Sequence, residues 1–376
     1  MGIQVRNIGV LVLGVLVLSS CANAVVVEPA PISTQSSAVA EEPIVEEQVL
    51  LSEWVAACED HVPNSEGQHS LAYEAVISEV CEKANPEGYL LPHLFSPTVS
   101  QTDSKRYLDG EAFHESYWAT RMNPNFPVKM RIIFSENDEE WWKEQQVANL
   151  TEPELEWFTS KDEGWHCRVE ADIFCPKFYG PSLTTTGIPT EFRIIGSKLS
   201  WEDWQLTNSA HESVHLYQDS HGQTHWTYWY IEGQATFFEL ALARLLFDED
   251  KVRTGSLFIN PQNTDSLKLV PTSTDLVAEY LKDCENSKNG ECDAFKYGGG
   301  SLFHEKLVID YGLDRYFQWQ DYLNEKMPKG NPSNFNAAQG HELAKTFDQS
   351  FEVIFGISQQ EFETKIMPAY IFEVYN

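Results

Sequence analysis

The sequence predicts an α+β fold, in which a small mixed β-sheet precedes a largely helical region. Apolar residues alternate with other residues over 128–134, and residues 168–174 and 191–195 have a similar strand-like composition, which predicts at least three strands. After residue 200 the apolar residues recur at helical spacing almost to the C-terminus. Because 42% of the 376 residues are hydrophobic and 12% are aromatic, the chain can bury a large core.

The first 49 residues have the pattern of a secretory signal followed by a tether. Residues 1–20 contain one early charge at Arg6, an apolar run over residues 8–18 and small residues before Cys21. That run is shorter than the roughly 20 residues that a membrane-spanning helix needs. Residues 18–21 resemble the bacterial lipobox, which implies that Cys21 carries a lipid. Since Ala22 follows, the resemblance implies a bacterial lipoprotein anchored in the outer membrane and facing the periplasm. Residues 21–49 are rich in Pro, Ser, Ala and Glu and predict a disordered tether.

The six cysteines after Cys21 indicate disulfide bonds. They fall into three couples that are close in the sequence, and an oxidising periplasm favours pairing within each couple. A thiolate zinc site is not indicated, because the gaps of 23, 8 and 8 residues do not give CxxC spacing. Six cysteines allow about 15 pairings, so connectivity is an expectation here. The expected pairs are Cys58 with Cys81, Cys167 with Cys175, and Cys284 with Cys292.

The chain is strongly acidic. Lys and Arg number 26 against 57 Asp and Glu, so the formal net charge is −31. A surface of this sign repels nucleic-acid backbones and anionic lipid head groups. We therefore expect no nucleic-acid partner, and membrane contact only through the lipid on Cys21.

Two regions follow the tether. Residues 50–125 are predicted to form a helical N-terminal region, with helices over 52–59 and 70–83, and the sequence assigns it no role. Residues 126–376 form the second region, which begins with the predicted sheet. Its predicted helices lie at about residues 201–219, 229–247, 273–284, 299–310 and 342–354.

The helix predicted over residues 201–219 contains an HExxH motif, His211 to His215. Residues four apart project from the same face of a helix, so both imidazoles can reach one tetrahedral ion. Glu212 lies about 100° round the helix from His211, beside the ion, where it can accept a proton from a metal-bound water. The motif therefore predicts a zinc site that needs a third protein ligand.

Residues 229–235 have the pattern W-x-x-E-G-x-A and open the next predicted helix. HExxH followed by this pattern resembles the gluzincin metallopeptidases, the superfamily of thermolysin and aminopeptidase N. The resemblance implies a zincin-like catalytic domain over residues 126–376, with Glu232, 17 residues after His215, as the third zinc ligand. Glu239 lies two turns further along the same face and could accept a hydrogen bond from a ligand histidine.

Other assignments of the third ligand stay open. His221 stands six residues after His215, which is the metzincin position, although Gln218 replaces the glycine that makes the necessary turn there. His225 is a further candidate. In a structural interpretation, Glu232 only caps its helix and the two histidines bind no metal.

Tyr297 precedes Gly298, Gly299 and Gly300 at a predicted helix start. Aminopeptidase-type gluzincins carry a tyrosine at such a place, and the resemblance implies that the Tyr297 hydroxyl stabilises the tetrahedral intermediate. The lysine that usually precedes the glycine in that family is absent here. A buried tyrosine at a flexible helix entry is equally compatible with the sequence. The rival donors are His221, His225, Tyr228 and Tyr230.

Together these residues and the resemblance imply a zinc-dependent peptidase that hydrolyses peptide or protein substrates through a metal-bound water. An endopeptidase is favoured over an aminopeptidase, because the Gly-rich strand that recognises a free amine is not evident before the HExxH motif. The alternative is a non-catalytic periplasmic binding or scaffold lipoprotein that retains the zincin fold. The presence of Glu212 argues against that alternative, since a degraded site would usually lose this residue first.

Overall fold

A computed structural model describes the protein outside its first 51 residues and several internal segments. The described residues are 52–64, 67–87, 89, 92–126, 130–135, 138, 140–141, 144–145, 182–183, 189–195, 204–223, 228–247, 273–275, 277–279, 295–328 and 337–375. The predicted signal peptide, Cys21 and the tether lie outside these residues. So do the predicted strand over 168–174, His225 and the cysteines Cys167, Cys175, Cys284 and Cys292.

The described part of the N-terminal region contains three helices: α1 (Glu53–Asp60), α2 (Gln68–Lys83) and α3 (Gln101–Ala119). Helix α1 begins where the Ser52 hydroxyl oxygen accepts a hydrogen bond from the Val55 backbone N–H at 3.4 Å, which satisfies one of the free N–H groups of the first turn. A disulfide between Cys58 and Cys81 joins α1 to α2, as the sequence analysis predicts for this couple. The two helices are therefore fixed to each other covalently.

The sheet is small and mixed. Its strands are β1 (His93–Phe95), β2 (Met130–Ser135), β3 (Ser182–Leu183) and β4 (Pro189–Ile195), in the spatial order β1-β2-β4-β3. Strand β2 pairs in parallel with β1 and β4, whereas β3 pairs antiparallel with β4. The central strand β2 is fixed to α3 because the fully buried Arg131 forms ion pairs with Glu111 and Glu115 of that helix.

Helices make up most of the remaining described residues, and the predicted α+β class, rich in helix with a small mixed sheet, is confirmed. The helices are α4 (Trp204–Ser220), α5 (Tyr228–Leu246), α6 (Gly300–Tyr311), α7 (Leu313–Lys326), α8 (Ala337–Phe355) and α9 (Met367–Tyr375). A π-helical turn, Phe295–Gly299, leads into α6, and a second one, Phe362–Ile366, precedes α9. Within the described residues, no helix is both long enough and apolar enough to cross a bilayer.

The N-terminal helices and the later helices share one hydrophobic core. Trp118 of α3 is buried against Tyr217 of α4 and Phe238 of α5, with ring centroids 4.7 and 4.9 Å apart. Tyr73 of α2 packs against Phe237 of α5 in the same core. Helices α2 and α3 are therefore part of the scaffold that supports α4 and α5.

Helices α5 and α6 cross in direct backbone contact. A Cβ atom added to Gly233 would lie 2.4 Å from the carbonyl carbon of Gly300, and one added to Gly300 would lie 2.6 Å from the carbonyl oxygen of Trp229. Only glycine fits at both positions, because these neighbours are backbone atoms that cannot rotate away. The crossing brings the start of α6, and Tyr297 just before it, close to the first turns of α5.

Candidate metal centre

Three side chains from α4 and α5 converge on one point. The Nε2 atoms of His211 and His215 lie 3.1 Å apart, and Glu232 Oε2 lies 3.5 and 3.4 Å from them, respectively. Among the described residues, these three form the group that could hold a metal ion. The two histidines point the same way because they are four residues apart on α4. The carboxylate of Glu232 reaches them because α5 packs against α4.

The triangle of ligand atoms fits a small tetrahedral ion. The edge of a tetrahedron is about 1.63 times the bond to its centre, so metal–ligand bonds of about 2.0–2.2 Å give edges of roughly 3.3–3.6 Å. The three separations in the triad, 3.1, 3.4 and 3.5 Å, lie close to that range. Two imidazoles and one carboxylate also suit a transition metal better than Mg²⁺ or Ca²⁺, which prefer oxygen ligands.

Glu239 orients His211. The Nδ1 atom of His211 donates to Glu239 Oε2 at 3.0 Å, and the Thr207 hydroxyl donates to the other carboxylate oxygen at 3.0 Å. Because Nδ1 carries the hydrogen, Nε2 keeps its lone pair for a metal ion. The structure thus places Glu239 where the sequence analysis expects an acceptor for a ligand histidine.

Gln218 takes the corresponding place beside His215. Its Oε1 atom lies 2.7 Å from His215 Nδ1, and its amide nitrogen donates to the Ile231 carbonyl oxygen at 3.0 Å. The sequence analysis considers Gln218 only as the residue that replaces a glycine. The usable signal was its position three residues after His215, which places the two side chains on the same face of α4.

The electrostatic field of the site favours a cation at the two Nε2 atoms. Burial alone would lower the pKa of His211, but hydrogen bonds to Glu232 and Glu239 raise it to about 10. Burial opposes charge on His215 in the same way, yet the Glu232 carboxylate raises the pKa of His215. Conversely, burial would raise the pKa of Glu232, and the two histidines hold it well below its usual range.

The two residues predicted to take part in catalysis lie beside this triad. Glu212 is half-buried on α4, and its negative charge contributes to the raised pKa of both His211 and His215. The ring of Tyr297 stacks on the ring of His211, with centroids 6.2 Å apart and planes inclined by 30°. Tyr297 reaches this position because α5 and α6 cross so closely.

His221 lies away from the triad. Helix α4 continues to Ser220, so His221 is about 240° round the helix from His215, and its ring packs against Tyr217. Its Nε2 donates to the Arg121 carbonyl oxygen at 2.9 Å, which ties the end of α4 to the end of α3. The chain turns one residue later, at Gly222, whose φ is 73°.

Of the other candidate donors to the tetrahedral intermediate, Tyr230 is fully buried, and its hydroxyl donates to Gln320 of α7. His225 and the Tyr228 side chain lie outside the described part of the chain.

No family model, curated protein or solved structure matches this chain.

Proposed function

We propose that the protein is a zinc-dependent peptidase of the gluzincin type, held at the bacterial envelope by a lipid on Cys21. One observation carries the proposal: His211, His215 and Glu232 form a triangle of the size of a tetrahedral zinc site, with both imidazole Nδ1 atoms engaged elsewhere. Two imidazoles and one carboxylate, with a fourth position open, are the donor set of catalytic zinc sites.

When bound, zinc supplies a Lewis acid that activates water and polarises a carbonyl group. Glu212 accepts the proton of the attacking water and later gives a proton to the leaving amine. The Tyr297 hydroxyl donates to the oxygen on which negative charge develops, a contribution of about 3 kcal/mol for such a donor. His211, His215 and Glu232 hold their positions because Glu239, Gln218 and the packing of α5 fix their orientation.

The test compares Glu212→Gln with the wild-type full chain. This substitution keeps the shape of the side chain and removes the base, so zinc stoichiometry should stay near one per chain. Cleavage of a mixed-peptide pool should fall about 100- to 10,000-fold. Glu342→Gln, on the exposed side of α8, is the matched control and should cleave at the wild-type rate.

The outcomes separate the competing functions. Chelator-sensitive cleavage at internal bonds supports an endopeptidase, and sequential removal of N-terminal residues supports an aminopeptidase. Zinc binding without cleavage of any peptide supports the alternative, a non-catalytic binding or scaffold lipoprotein. Wild-type turnover in Glu212→Gln would refute the mechanism.

A further inference from the structure

Gln218 is a fully buried amide that contacts both metal-binding helices. It lies on α4, three residues after His215, and its oxygen faces His215 Nδ1 at 2.7 Å. Its nitrogen faces two acceptors of α5, the Ile231 carbonyl oxygen at 3.0 Å and Gln234 Oε1 at 2.8 Å. A buried amide needs partners on both of its ends, so these contacts fix the side chain.

The Ile231 carbonyl determines which way the amide points. A carbonyl oxygen can only accept, so the NH2 group of Gln218 must face Ile231 and its oxygen must face His215. The flipped amide would bring two oxygens together in a buried place. Because Oε1 can also only accept, Nδ1 of His215 must carry a hydrogen, and a neutral imidazole then has its lone pair on Nε2.

We propose that Gln218 is a positioning residue that commits His215 to the tautomer that binds metal through Nε2, in an orientation set by the Ile231 backbone. Ile231 directly precedes Glu232, so the same amide also ties α4 to the turn of α5 that carries the carboxylate ligand. This inference rests on the proposed zinc site.

An amide suits this place better than a carboxylate. Glu212, Glu232 and Glu239 already bring three negative charges to the site, and Glu239 holds His211. A carboxylate at position 218 could still accept from His215, but its second oxygen would face the acceptors of Ile231 and Gln234 without a donor. Glutamine provides both the acceptor and the donor that these neighbours require.

The experiment measures the Kd for zinc by competition with a chromophoric chelator, and the free energy of unfolding of the chelator-treated chain in urea. Gln218→Met removes both ends of the amide and should raise the Kd about 10- to 100-fold. Gln218→Glu keeps the oxygen that faces His215, so its Kd should stay within about threefold of wild type although its stability falls. The matched control is Gln320→Met, because Gln320 is equally buried and accepts from the Tyr230 hydroxyl. It should lose stability and keep the wild-type Kd.

An unchanged Kd in Gln218→Met, with stoichiometric zinc in the wild type, overturns the positioning role and leaves the proposed function intact. A Kd that rises equally in Gln320→Met, or that follows stability across all three variants, also overturns it. A wild-type chain that binds no zinc overturns both the proposed function and this inference.

Discussion

The close crossing of α5 and α6 predicts that Gly233→Ala lowers both the stability of the protein and its affinity for zinc. The new Cβ would meet three backbone atoms of Gly300 at 2.4, 2.6 and 2.6 Å. Cβ contacts under 3.0 Å essentially never occur, and ordinary contacts begin at 3.4 Å. Since 3.4 − 2.4 = 1.0, the two helices must separate by about 1 Å for ordinary contact, and by about 0.6 Å for the shortest contact that proteins tolerate.

Two opposing energies determine the result. Alanine favours a helix over glycine by about 1 kcal/mol. Overpacking in a closed core typically costs about 1–3 kcal/mol, and the upper part of that range, about 2–3 kcal/mol, applies here because the obstructing atoms are backbone and cannot rotate away. We therefore expect the free energy of unfolding to fall by about 1–2 kcal/mol in urea denaturation. The displacement also moves Glu232, the neighbouring residue, so zinc affinity should fall in the same variant.

Gly110→Ala is the matched control, because it also adds a Cβ inside a buried helix. Its nearest neighbour is the Ser209 hydroxyl oxygen, at 2.8 Å, followed by the Trp54 indole nitrogen at 3.1 Å. The Ser209 hydroxyl is the end of a side chain and can rotate away without moving either helix backbone, although it then loses its hydrogen bond to His114, worth about 1 kcal/mol. This variant should therefore lose less stability than Gly233→Ala and keep its zinc affinity. A Gly233→Ala protein that is as stable as wild type and binds zinc equally well would refute the close crossing.

Two further predictions concern histidines and the third ligand. Glu232→Ala should lose tight zinc binding, whereas His221→Ala should retain it, with metal per chain after dialysis as the measurement. Tight zinc binding in Glu232→Ala would contradict the assignment of Glu232 as the third ligand. Burial lowers the pKa of His114 and of His304 from 6.5 to about 3. Between pH 6.5 and about pH 3, these two histidines are therefore protonated in the unfolded chain and neutral in the folded chain. The free energy of unfolding should therefore fall as pH drops from about 6.5 towards 3, by up to about 1.4 kcal/mol per pH unit for each histidine. Urea denaturation of the chelator-treated chain tests this, and a slope that is unchanged in His304→Gln would contradict it.

Local spacing made part of the site predictable. His211 and His215 share a face of α4 because they are four residues apart, and this holds wherever the helix packs. The contact between Gly233 and Gly300 joins residues 67 positions apart and leaves no local pattern. The sequence analysis therefore finds the glycines beside Tyr297 but does not find why Gly300 must be one.

Buried polar residues explain why α3 was not predicted as an element. The buried side of α3 includes Glu111, His114 and Glu115, which interrupts the apolar stripe that marks an amphipathic helix. Glu111 and Glu115 pair with Arg131 of β2, and His114 bonds Ser209 of α4, so the sequence of α3 alone gives no sign of these partners. Strand β1 is only three residues long, which is too short for alternation to be recognised.

The packing of α3 against α4 gives the N-terminal region a role that the sequence did not assign. Just after α4 ends, His221 bonds the carbonyl oxygen of Arg121, two residues beyond α3. Within α4, Ser209 bonds His114 of α3 at 2.9 Å on the side of the helix turned away from the triad. His211 and His215 lie on the opposite side, towards α5. A helix with ligands on one face needs a fixed support on the other, since any rotation of α4 would move both Nε2 atoms away from Glu232. Residues 50–125 provide that support, and the disulfide between α1 and α2 holds together two of the three helices of that region.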